Sequence, residues 1–305
     1  MTTNRAAALF PFDDYRALSN DVLSLRIRAM KRNFGHRLLI LAHHLESDQV
    51  IAHADLRGDS LQLCQQTPHR DCAAIVFCGN HFIADTIDIV INSPDRLAAR
   101  GGRRISVIVP DLDAGSSRGP TMSIGQLEST WNGLSQIIET HDLTPVTTIS
   151  SATVWKAFCG RHGGIVCSSS NASRILKWAF EKNSRVLFFP DQNLGGNTAL
   201  ALGIPDTQLS VWDPNQNQLG GNTRSEIEHC RMILWNGPGD VPPVQEIQIP
   251  PSDVSASRSQ NGVKLAQLCW CLENLAAHAP VNIIKIDDET QRWSWVALQR
   301  MLDLG

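Results

Sequence analysis

The run Gly163-Gly164-Ile165-Val166-Cys167-Ser168-Ser169-Ser170-Asn171-Ala172-Ser173, continuing from Arg174 to Lys182, reads as a short buried strand feeding a helix through a turn of hydroxyls. Ile165 to Cys167 supplies the strand, and Ile175, Leu176, Ala179 and Phe180 recur at helical spacing. Such a helix start presents free backbone N–H groups, hydroxyls and the positive end of the helix dipole, which suit a phosphate or a carboxylate. Serine and asparagine at that place also serve as ordinary caps. Taken alone, the turn reads more often as a cap than as an anion seat.

Working outward, apolar runs alternate with helical patterns. Toward the N-terminus, Arg37 to Ala42, Ala73 to Phe77 and Arg104 to Val109 read as strands, with helices over Asp21 to Asn33, Leu61 to Gln66 and His81 to Ile91. Beyond them, Thr144 to Ile149, Arg185 to Phe189 and Met232 to Trp235 read as strands, with helices over Val154 to Cys159 and Arg224 to His229. Strand–helix alternation calls for parallel sheets with helices on both faces, so the expected fold is α/β, built from repeated three-layer αβα lobes. The repeat shows in the sequence itself. Val107 to Gly115 lines up by residue type with Leu187 to Gly195, and Ile75 to Cys78 with Ile165 to Ser168. The expected segments are an N-terminal arm and helix over 1–36, a first lobe over 37–143, a second over 144–237, a Pro/Ser-rich linker over 238–262 and C-terminal helices over 263–305.

Hydrophobic residues at 42%, charged residues at 19% and a net charge of −3 describe an ordinary globular chain and give no support for nucleic-acid or membrane partners. No apolar run is long enough to span a bilayer and no signal-peptide pattern opens the chain, so a cytoplasmic protein is expected. The eight cysteines then stay reduced, and none forms C-x-x-C; Cys269 and Cys271 flank Trp270 in a helical stretch and read as packing. His43-His44 closes the first strand, at the edge where open parallel sheets bind ligands. Adjacent histidines on a strand end rarely converge on one ion, so no metal is assigned to them with Asp111. Lys156 and Lys177 read as solvated helix-surface lysines.

Gly163 to Ala172 resembles the GG(I/V)CTSSNA segment of quinolinate synthases. Other segments follow in order: Leu41-Ala42-His43-His44, Val50 to Ser60, Ile75 to Gly79, Gly160 to Gly164, Val186 to Gly195, Gly220 to Thr223, Met232 to Gly237, and Cys271 to Leu275 near the end. The resemblance is strongest to the actinobacterial branch and spans about Arg26 to Gly237 with the C-terminus. It implies a quinolinate-synthase-like fold with the third lobe largely missing, residues 144–237 holding its start. It also implies a chemistry of pyridine or NAD biosynthesis, in which that family condenses iminoaspartate with dihydroxyacetone phosphate on an iron–sulfur cluster.

The departures qualify that expectation. Ser116 and Gly239 stand where the family has two cluster cysteines, and the third cysteine's lobe is mostly absent between Pro243 and Val263. Serine and glycine do not replace thiolates at iron, so no cofactor is expected. Leu45 and Thr148 stand at two family tyrosines, Ser150 at an asparagine, Pro242 at a histidine, and the H-P-E of the third lobe is gone. What the resemblance retains is a substrate set of His43, Asp59, Ser60, Ser168, Ser169 and Asn171, with His43 and His44 as proton-moving residues. Gly58 would let a phosphate approach closely. One reading is therefore a cluster-free enzyme of secondary metabolism that condenses a triose phosphate with an amino-acid-derived amine or imine by acid–base chemistry. The other is a degenerate paralogue acting as a binding or regulatory subunit. A small phosphorylated metabolite is the expected partner, with self-association or an intact homologue covering the face a third lobe would have occupied.

Overall fold

Uninterrupted apolar runs become parallel strands here because both faces of each sheet are covered by helices. A computed structural model describes residues 9–69, 71–115, 123–216, 218–236 and 261–305. In chain order these form α1 (Asp13–Arg16), α2 (Asn20–Phe34), β1 (Leu38–His43), α3 (Asp48–Ile51), β2 (Leu56–Gly58), α4 (Ser60–Gln66), β3 (Ala74–Cys78), α5 (His81–Ile91), α6 (Pro94–Ala99), β4 (Ser106–Ile108), α7 (Ile124–Leu134), β5 (Leu143–Thr148), α8 (Thr153–Arg161), β6 (Ile165–Cys167), α9 (Ala172–Lys182), β7 (Arg185–Phe189), α10 (Gln192–Ala201), β8 (Leu209–Trp212), α11 (Arg224–His229), β9 (Met232–Trp235), α12 (Leu265–Ala276) and α13 (Asp288–Leu304). No helix among the described residues is long and apolar enough to cross a membrane.

The chain divides into two units, Met1–Ser116 with Pro251–Asp287, and Ser117–Pro250 with Asp288–Gly305. The first holds a four-stranded parallel sheet in the order β2-β1-β3-β4. Leu38, Ile40, Ala42, Val76 and Ile108 point to one face, where they meet Leu23 and Ile27 of α2 and Leu265, Leu268 and Leu272 of α12 in one buried core. The alternate residues Leu39, Leu41, Ile75 and Phe77 are also buried, on the face served by α4 and α5. Each such side chain contributes roughly 1.5–3 kcal/mol by leaving water.

The second unit holds a five-stranded parallel sheet in the order β6-β5-β7-β9-β8. Helix α13 packs along α8, with Ser294 Oγ donating to the Thr153 carbonyl at 3.0 Å and Gly160 against the backbone of Trp293. Trp131 of α7 meets Phe158 of α8 edge-on at 5.4 Å. Helices α9 and α10 pack on each other. Pro145 is tolerated inside β5 because its missing N–H falls one residue before the pairing with β6 begins at Val146, and Gly164 leaves room for the Pro145 carbonyl.

Two lobes with parallel sheets flanked by helices are therefore present, but the internal line-up of the sequence is one strand out. Sheet order makes β1 equivalent to β5, β2 to β6, β3 to β7 and β4 to β9. The sequence pairs Ile75–Cys78 of β3 with the β6 stretch and Val107–Gly115 of β4 with the β7 stretch, because any buried strand ending in a polar turn looks alike locally. Helix α7 meets α8 through Trp131 and Phe158, and of the two C-terminal helices α12 packs onto α2 and α13 onto α8. The linker expected over 238–262 lies outside the described residues as far as residue 260.

Closeness at Gly160 makes a direct test. A Cβ there would fall on the Trp293 carbonyl, so Gly160→Ala should destabilise the chain by about 1–3 kcal/mol in denaturant unfolding, whereas alanine at the uncrowded helical Gly125 should not.

Candidate functional site

In the first unit the chain leaves β1 for β2 on one side and returns to β3 on the other, which places a topological switch between the carboxyl ends of β1 and β3. His43 ends β1 there. Gly79, just past β3, lies so close that an added Cβ would come within 3.2 Å of the His43 Cβ and collide with the Phe77 ring. His44 is exposed; its N–H is donated to the Gly58 carbonyl at 3.0 Å, and its ring lies 4.5 Å from that of His43.

Burial lowers the His43 pKa to about 4; His44 adds to the lowering and Asp59 opposes it. The ring is therefore neutral at physiological pH. A long contact of 3.4 Å from the Leu45 N–H to Nδ1 favours the tautomer with hydrogen on Nε2. A neutral imidazole of that kind polarises a carbonyl by donating a hydrogen bond.

Asp59 and Ser60 follow β2, but they are occupied differently from the expectation. Asp59 caps α4: its Oδ1 accepts the Gln62 N–H at 2.8 Å while Gln62 Oε1 accepts the Asp59 N–H at 3.1 Å. A carboxylate already neutralises the start of this helix, so it is a poorer anion seat than the sequence suggests. Gly58 makes room for Gln62, whose Oε1 would lie 2.8 Å from an added Cβ. Ser60 is buried behind this cap.

In the second unit the serine turn is built differently. Asn171 precedes α9 yet makes no bond to the first amides of the helix. Its Oδ1 is turned back instead, accepting the Ser168 N–H at 2.7 Å and the Ser168 hydroxyl at 3.2 Å, and Ser168 Oγ lies 2.8 Å from Ser170 Oγ. Ser168 and Asn171 are buried, while Ser169 and Ser170 are exposed. The Asn171 Nδ2 is buried and bonds to no protein atom among the described residues. Hydroxyls, an inward amide and an α9 start without a side-chain cap converge, and the capping alternative does not describe Asn171.

Two features of this unit escape the sequence reading. Thr148 and Ser150 are 3.4 Å apart by their hydroxyls, Thr147 Oγ1 donates to Ser151 Oγ at 3.0 Å, and the Ile149 N–H is donated to the Cys167 carbonyl at 2.7 Å. Hydroxyls thus line the end of β5 beside the serine turn at the end of β6. Lys156, expected on a helix surface, is wholly buried, because α8 is covered by α13 as well as by β5 and β6; Lys177 is exposed as expected. The apolar neighbours Trp155, Ala157 and Phe158 were the available signal.

Residues 25–242 match the family model described as Quinolinate synthetase A protein. The chain belongs to the quinolinate synthase family. It is 41% identical to the quinolinate synthase of Rhodopirellula baltica over 97% of this chain and 94% of that protein. It is 45% identical to the quinolinate synthase of Corynebacterium glutamicum over 74% of this chain but only 55% of that protein. A quinolinate synthase of Nocardioides is 33% identical over 95% of this chain and 91% of its own. The Rhodopirellula alignment runs over 368 positions against 305 residues here, so that relative carries sequence this chain lacks.

Family membership raises the question of the iron–sulfur cluster. Ser116 and Gly239 lie outside the described residues. All eight thiols are buried, and burial raises those of Cys72, Cys78, Cys159, Cys167, Cys230, Cys269 and Cys271, which opposes thiolate formation. Among the described residues no three His, Cys, Asp or Glu side chains gather as ligands.

The lowered His43 pKa has a stability consequence. Between about pH 6.5 and 4 the unfolded chain binds a proton that the folded chain refuses, so this group's contribution is present above pH 6.5 and lost as pH falls through 4. His43→Asn should remove that loss: its melting temperature relative to wild type should rise as pH is lowered from 7 to 4.5.

Proposed function

We propose that this chain is a quinolinate-synthase-like enzyme that works without an iron–sulfur cluster, binding a triose phosphate of the dihydroxyacetone phosphate type and condensing it with an amino-acid-derived amine or imine. The observation that carries the reading is Asn171. Its Oδ1 fixes Ser168 while its buried Nδ2 has no protein partner among the described residues, beside an α9 start that no side chain caps. Such a group costs about 1–3 kcal/mol unless something accepts from it, and a phosphate oxygen is a suitable acceptor. Ser168, Ser169 and the first amides of α9 complete the seat.

The chemistry asked of the rest is proton transfer. The amine nitrogen adds to the ketone carbon, the C=O electron pair moves to oxygen, protons pass from nitrogen to oxygen, and water leaves as the C=N bond forms. His43, neutral and with Nε2–H available, is a group fit to donate a hydrogen bond to a carbonyl oxygen. His44 is exposed and would serve as relay to solvent.

Calorimetric titration with dihydroxyacetone phosphate tests the seat. Wild type should bind it, and Asn171→Ala and the double variant Ser168→Ala/Ser169→Ala should weaken binding at least tenfold. No binding by folded wild type, or equal binding by all variants, would overturn the reading. Tight binding with no turnover of any amine would leave a binding subunit in its place.

A further inference from the structure

Three residues past the end of β1 lies a carboxylate that the proposed chemistry does not use. Glu46 is only 3% exposed, and it forms no ion pair among the described residues. Its backbone N–H is donated to the His43 carbonyl at 3.0 Å, and its Oε2 accepts the N–H of Val263 at 2.9 Å. Val263 is 1% exposed and belongs to the core shared by β1, α2 and α12. One side chain therefore joins the backbone of the site histidine to the chain entering α12. The His44 N–H given to Gly58 holds the same turn from the side of β2.

We propose that Glu46 is the positioning residue of the His43–Glu46 turn and works as a proton-operated clasp, pinning that turn to Val263 and responding to pH through its own carboxyl group. The proposal rests on His43 as the group whose placement matters to the reaction. The titratable groups acting on the carboxyl are Lys264 on the chain before α12, Asp111 after β4 and Cys78 on β3; His43 and His44 precede it on the same turn. Asp111 is itself engaged by Gln267 Nε2 at 2.6 Å. Protonated, Glu46 sits in this apolar place at little cost and still accepts from Val263. Ionised, it accepts more strongly from Val263 but becomes a buried charge beside a second carboxylate, which costs stability.

Burial moves the Glu46 pKa up to about 7; the Val263 bond and Lys264 pull it down and Asp111 pushes it up. With the folded pKa above the ordinary value of 4.5, stability from this group is full below 4.5 and is lost as pH rises through 7. That is opposite in sign to His43. The two partly cancel in wild type between pH 4.5 and 6.5, so each must be read from its own variant.

Full-length wild type, Glu46→Gln and Glu46→Ala settle the matter without any ligand. Glutamine keeps an acceptor for Val263 and cannot ionise, so its melting temperature relative to wild type should climb between pH 5 and 7.5 and then level off. In imidazole NMR titrations, Glu46→Ala should raise the His43 pKa by about one unit or more toward the ordinary value as the turn loosens, while Glu46→Gln leaves it low. Superimposable pH–stability profiles for wild type and Glu46→Gln would overturn the proton-operated clasp, and an unmoved His43 titration in Glu46→Ala would overturn the positioning role. Failure of triose phosphate binding would leave both readouts intact.

Discussion

The bond from the Ser168 N–H to Asn171 Oδ1, 2.7 Å long, is the constraint on which the second unit's site depends. An asparagine in that place ordinarily caps the helix and contributes about 1 kcal/mol. Here it is diverted inward, α9 forgoes its side-chain cap, and a buried amide nitrogen is left without a protein partner. A fold tolerates such losses where they prepare a ligand site. The geometry is held by the sheet beneath. Cys167 pairs with Thr148 of β5, the Ile149 N–H is given to the Cys167 carbonyl, and Ser168 therefore emerges beside the hydroxyls that end β5.

The two units repeat a topology and diverge in chemistry. At the end of β2, Asp59 and Gln62 close a reciprocal cap on α4; at the topologically equivalent end of β6, α9 has no side-chain cap. The first unit instead carries groups of shifted acidity, His43 lowered and Glu46 raised, both by burial at the carboxyl end of one strand. Under the proposed function the serine turn would serve anion recognition and His43 proton handling. The thiols lie within the two cores, where burial raises Cys78 and Cys167 and so disfavours their thiolates.

Much of this was legible in the sequence. Helices α5 and α11 and strands β6, β7 and β9 begin and end where polar caps and apolar runs say they should. Helix α10 was hidden because Gly195 and Gly196 depress helix propensity; Asp191 caps it, accepting the Leu194 N–H, and Gly195 is required where Phe188 and Leu234 press against the helix. Of the site, the serine turn and His43 could be read directly. What the sequence could not disclose was direction: that Asn171 turns inward while Asp59 caps, that Gly58 accommodates Gln62, and that Glu46 reaches Val263 far along the chain. Each depends on tertiary packing that local patterns do not encode.

The proposed function holds that the seat at Asn171 serves a condensation that needs no iron. The direct measurement is mass spectrometry of products from iron-free protein purified in air and incubated with dihydroxyacetone phosphate and a panel of amino acids. The account predicts a condensation product with the mass of the two reactants less water, formed by wild type and lost in Asn171→Ala. Product formed only by protein that carries an iron–sulfur chromophore would contradict it.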